Sequence, residues 1–113
     1  MDRAEPVRLV MALEDEVNNG GFHQFFYNSA GDETAEMIQA LEAIQATKMA
    51  DIVKRAAAKF PGGMPPKDRF ARQDLLLDSV SPDADVFTDL NNEFFAYPDD
   101  LAALRKKYES ESH

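Results

Sequence analysis

The chain has no cysteine and no tryptophan. Without cysteine there can be no disulfide, no thiolate metal site and no cysteine nucleophile. No apolar run approaches the ~18 residues of a membrane span, and the N-terminus lacks a signal-peptide pattern. A soluble, cytoplasmic protein without membrane contacts is expected. Basic charge is scarce: 12 Lys+Arg stand against 21 Asp+Glu, a net charge of −9. That is the wrong sign for a domain that grips phosphate backbones, so no direct nucleic-acid binding is expected. Strand-like alternation, repeats and low-complexity tracts are absent too.

What is present is one domain's worth of chain. The 113 residues are 44% hydrophobic and include eight Phe, which argues against disorder. A chain of this size buries roughly 60–70% of its unfolded surface, and a single domain over residues 1–113 is expected. The charge is segregated along it. Residues 1–46 carry net −7, residues 47–72 net +5, residues 73–104 eight acids and no base, and the last nine net +1. Such blocks are resolved either by neighbouring elements pairing their charges or by a charged partner.

The pattern of apolar and capping residues predicts an all-α fold of six or seven short helices. Pro6 suits a first helical turn, and Val7, Val10, Met11, Glu14 and Val17 follow at helical spacing. Gly20–Gly21 is expected to stop that helix. Phe22, Phe25 and Phe26 give one aromatic face to a short second helix, ended by Gly31. Asp32 is the expected N-cap of the next, with Met37, Leu41 and Ile44 inward; the stripe resumes through Met49, Ile52, Val53, Ala56 and Phe60. Residues 61–66, Pro-Gly-Gly-Met-Pro-Pro, form a break inside the domain. Phe70 and Leu75–Leu77 belong to another helix. Ser81-Pro82-Asp83 reads as a helix start, carrying Val86, Phe87, Leu90 and Phe94 inward. Tyr97-Pro98-Asp99-Asp100 opens the last, with Leu101, Leu104 and Tyr108.

Catalytic chemistry finds little support. His113 is terminal, and His23, at i,i+4 from Tyr27, has no acid or base partner that the sequence identifies. Asp89-Leu90-Asn91-Asn92-Glu93 spaces its oxygens like a calcium loop, but Phe94 stands where the sharp turn needs glycine. Gly62-Gly63 lacks the ending of a phosphate loop. No catalytic residue, metal or cofactor is assigned.

Two clusters remain. Asn18, Asn19, Gly20, Gly21, Phe22, Gln24, Phe25 and Asn28 make a polar and aromatic corner, whose amides can bond either the backbone there or a ligand. The acids Asp85, Asp89 and Glu93 lie at i, i+4, i+8, and Asp74 and Asp78 make a second such pair. Like charges at this spacing cost roughly 0.2–0.5 kcal/mol each. Four helical residues rise ~6 Å, near the spacing of successive phosphates, so such a row suits a protein's DNA-binding surface. The plainer reading is a solvated helix face.

Residues 17–32, Val-Asn-Asn-Gly-Gly-Phe-His-Gln-Phe-Phe-Tyr-Asn-Ser-Ala-Gly-Asp, resemble the signature of a bacterial domain-of-unknown-function family related to an acidic DNA-mimic protein family. Phe60-Pro61-Gly62-Gly63, the Pro66–Arg72 stretch and residues 94–101 extend the likeness over nearly the whole chain. The resemblance implies a helical fold and, through the mimic, a homodimer that occupies a transcription factor's DNA-binding surface. It transfers no catalytic residues, and the mimic's acids are not part of the shared signature. Two functions are therefore expected to compete. One is an acidic, non-catalytic interaction module, in its specific form a DNA mimic, whose partner is a basic nucleic-acid-binding protein. It requires exposed, unpaired acids. The other is a binding or enzymatic pocket at the Asn18–Asn28 corner, which requires unsatisfied polar atoms facing a cavity.

Overall fold

Nearly every segment with a helical apolar stripe becomes a helix that packs against α1, the long first element. The computed structural model describes residues 4–82 and 86–111. Six α-helices follow one another: α1 Ala4–Tyr27, α2 Thr34–Ala43, α3 Thr47–Ala57, α4 Arg69–Leu75, α5 Thr88–Phe95 and α6 Leu101–Ser110. No strand occurs among the described residues. The fold is a single all-α domain.

Phe22 lies at the centre of the core. Its ring meets Phe94 edge-on at 5.8 Å, stacks on Phe26 at 6.1 Å and lies 6.2 Å from Phe87. Phe26 in turn meets Phe60 at 4.9 Å. The same apolar cluster holds Leu41, Ile52 and Leu101, so α1, α2, α3, α5 and α6 share one core. Leu41, Ile52 and Phe94, each expected to face inward on its own helix, thus meet the aromatic face of Phe22, Phe25 and Phe26 in one cluster.

Several boundaries differ from expectation. The break at Gly20–Gly21 does not: both residues leave helical geometry, as a stop requires, and α1 is two helical limbs joined across this kink. Gly21 takes φ 71°, ψ −171°, a region essentially restricted to glycine. At the bend the Phe22 N–H donates to Asn91 Oδ1 at 2.9 Å, so a side chain on α5 replaces the helical acceptor. Gly31 and Asp32 sit inside a 3₁₀ turn, Ser29–Glu33. Asp32 does not cap α2; its carboxylate is drawn to Arg72 at 2.7 Å, and α2 begins two residues later. Ser81 closes a turn of π-helix, Leu76–Val80, by donating its N–H to Leu76 O. It is not the cap of α5, which starts at Thr88; Asp83 lies outside the described residues. Asp100 caps α6 as expected, accepting from the Ala103 N–H.

Candidate partner-binding surface and the signature corner

The basic block of residues 47–72 settles much of the charge segregation internally. Lys54 pairs with Glu42, Lys67 with Glu36 and Arg72 with Asp32, all on the acidic first block. Arg55 spans Asp51 on its own helix and Glu93 on α5. Apart from Arg72–Asp32 these are exposed pairs, each of little weight in water; their effect is to cancel charge locally.

The acids of residues 73–104 are thereby divided. Glu93 accepts two bonds from the Arg55 guanidinium, at 2.6 and 2.9 Å. That hydrogen bond, opposed by some desolvation and helped by the nearby charge, holds its carboxyl below the ordinary value. Asp99 accepts from the Met49 N–H at the start of α3, and Asp100 from Ala103. Asp74, Asp78 and Asp89 are exposed and form no ion pair among the described residues. Asp89 does line an open hollow beside Arg55 and Lys59, so its surroundings are mixed in charge. Asp74 and Asp78 lie on α4 and the π turn that follows it. Asp85 is outside the described residues.

The corner amides are committed to the fold. Asn18 donates to the Tyr97 hydroxyl at 2.9 Å, and that hydroxyl donates to Glu14 Oε1 at 2.8 Å. Asn19 donates to Gln24 Oε1, while Gln24 and Asn28 both donate to Glu16 Oε2. These bonds tie the two limbs of the bent α1 to each other and to the segment after α5. A shallow hollow lies over Asp15, Glu16, Asn18, Asn19 and Gln24, but the amides already have protein partners. Tyr97 holds a left-handed backbone, φ 49°, unusual for a bulky residue. Its hydroxyl bridge and the edge of Phe94, 5.8 Å away, hold it there. Burial, then the hydrogen bond to Glu14, push the phenol up against the opposing bond from Asn18. His23 stacks on Tyr27 at 6.5 Å.

The residue that sequence reasoning missed is Arg72, fully buried. Nε donates to Phe26 O at 2.7 Å, Nη1 to Pro66 O and Lys67 O, and Nη2 to Asn28 O and Asp32 Oδ1. All five N–H donors are used. Arg69 and Gln73 add bonds to Tyr27 O, so α4 caps the open carbonyls of α1, where a cation is also favoured by the helix dipole. A Cβ on Gly31 would stand 2.7 Å from Arg72 Nε, which explains the glycine there. In the sequence Arg72 shows only as one of the bases of residues 47–72 and as the end of the Pro66–Arg72 stretch; nothing local marks it as buried. Among the described residues no three His, Asp or Glu side chains converge as a metal site needs, and no helix is long and apolar enough to cross a membrane.

The geometry therefore defines an acidic all-α domain in which residues 18–28 build a structural corner and the unpaired acids Asp74, Asp78 and Asp89 lie outside it. The family model for DMP19-like proteins matches residues 3–113, and the chain belongs to that family. No curated protein and no solved structure matches it.

Proposed function

We propose that this protein is an acidic, non-catalytic interaction module that acts as a DNA mimic, occupying the DNA-binding surface of a basic regulatory protein. The observation that carries the reading is the set of exposed carboxylates with no ion pair, Asp74, Asp78 and Asp89, in a tract without a single base. The family membership supports it. Asp85 lies in the same tract of the sequence; Glu93, expected as a further member, does not belong to the set, because Arg55 holds its carboxylate. Asp74 and Asp78 lie on consecutive helical segments, α4 and the π turn that continues it, so the two charges are carried by one continuous stretch of helix. The partner is a protein, not nucleic acid, and the module itself works as a cytoplasmic homodimer.

The test is competition. A partner captured from the native extract is purified and offered both this protein and its own DNA. The protein is expected to displace DNA at low salt and to lose affinity as the Debye length falls from ~10 Å at 0.1 M to ~3 Å at 1 M. The variant Asp74→Lys/Asp78→Lys/Asp89→Lys should fold normally, by circular dichroism, and fail to compete. Equal competition by the variant, or binding of DNA by the protein itself, overturns the reading.

A further inference from the structure

Helix α4 buries one side and turns an apolar ridge to water. Arg72 and Leu76 are fully buried, against the carbonyls of α1 and the core. Phe70 and Asp74 on α4, and Leu77 and Asp78 on the π turn that continues it, are turned to water instead. The exposures agree: Phe70 is 74% and Leu77 46% exposed, and both acids are exposed. Tyr27, 41% exposed, is joined to the same helix through its carbonyl, which accepts from Arg69 and Gln73. His23 stacks on Tyr27. The face thus carries two exposed apolar side chains, Phe70 and Leu77, and two carboxylates without ion pairs. Single exposed apolar residues are ordinary. A Phe that exposed, on one face with a second apolar side chain, is not a scattered one.

We propose that this face is the docking site for the partner, and that the partner supplies a basic amphipathic helix. Its apolar side chains would cover Phe70 and Leu77, and its Lys or Arg residues at four-residue spacing would meet Asp74 and Asp78. The inference rests on the reading of a basic partner and adds an apolar anchor, which charge mimicry alone does not require. Charge complementarity selects this occupant. A second copy carries the same net −9 and would bring its own Asp74 and Asp78 into the same interface, where facing like charges oppose pairing. Buried aromatic anchors, ringed by polar contacts, are where binding energy concentrates in protein interfaces.

The full chain is titrated with two synthetic 18-residue helical peptides, followed by fluorescence anisotropy and by amide shifts in ¹⁵N spectra. Both carry Lys at four-residue spacing; one has Leu between them and the other Ser. The chain is expected to bind the Leu peptide at least ~10-fold more tightly, as an anchored hot spot would, with shifts at residues 70–80 and at Tyr27. Phe70→Ser/Leu77→Ser should abolish that preference while keeping the wild-type melting curve. Asp74→Asn/Asp78→Asn should weaken both peptides together. Equal affinity for the two peptides, with loss in the acid variant, means that charge alone docks the partner; the anchor falls and the basic-partner reading stands. Failure to bind either peptide, or indifference to neutralising Asp74, Asp78 and Asp89 together, brings down both. A dimer that Phe70→Ser/Leu77→Ser converts to monomer in sedimentation assigns the face to a second copy and overturns the proposal.

Discussion

Arg72→Met removes one guanidinium and keeps a similar apolar stem, so it isolates the five hydrogen bonds that join α4 to the end of α1. The bond to Phe26 O is fully buried, and the others are partly buried. An acceptor left without its donor in a buried position costs ~1–3 kcal/mol. Asp32, with its side chain 44% exposed, recovers water, as do the carbonyls of Pro66 and Lys67 in part. Phe26 and Asn28 recover less. The expected loss is therefore about 3–5 kcal/mol, in the range for breaking a buried charged pair and much of the ~5–15 kcal/mol that holds a domain together. In thermal unfolding followed at 222 nm this is a fall of roughly 10–20 °C. Arg72→Lys should recover little, because an ammonium cannot spread five donors over four carbonyls and a carboxylate. Asp32→Asn should cost ~1 kcal/mol or less, since its partner keeps four acceptors and its own site is wet. If Asp32→Asn costs as much as Arg72→Met, the ion pair and not the carbonyl cage carries the stability. If Arg72→Met costs less than ~1 kcal/mol, the cage argument fails altogether.

Gly21→Ala should destabilise by about 1–3 kcal/mol in urea unfolding, because the residue must keep φ 71° and its Cβ would stand 2.6 Å from Asn91 Nδ2; a neutral effect would mean the bend relaxes freely. Phe94→Ala is expected to cost ~3–5 kcal/mol by the same assay, and Phe70→Ala to stay within ~0.5 kcal/mol, since one ring is buried against Phe22 and Tyr97 and the other faces water. Glu93 has a folded pKa lowered by its hydrogen bond to Arg55 from an ordinary 4.5. A lowered carboxylate pKa gives stability that is present above the unfolded value and lost as pH falls through the folded one. Glu93→Gln should accordingly flatten the acid side of melting temperature against pH below about 4.5; an unchanged acid limb would show that the pair contributes nothing measurable.

The helices themselves were legible in the chain because their causes are local. Apolar residues at three- and four-residue spacing define an inner face whatever they pack against, and Asp100 caps α6 through the N–H three residues on. The aromatic run of Phe22, Phe25 and Phe26 announced a core for the same reason. The break at Gly20–Gly21 was legible as well. Its tertiary partner was not: the Phe22 N–H that opens the second limb is held by Asn91, 69 positions away. Asp32 looked like a cap because short-range chemistry favours one there; a buried guanidinium 40 residues later claims it instead. The acids tell the same story. Spacing placed Asp89 and Glu93 on one side of a helix, but whether each stays charged and unpaired depends on what the fold sets opposite. Tertiary packing brought Arg55 to Glu93 and left Asp74 and Asp78 beside an exposed Phe70. Periodicity within a helix is a property of neighbouring residues, whereas the pairing of a charge is a property of distant ones, which only folding brings within a few ångströms.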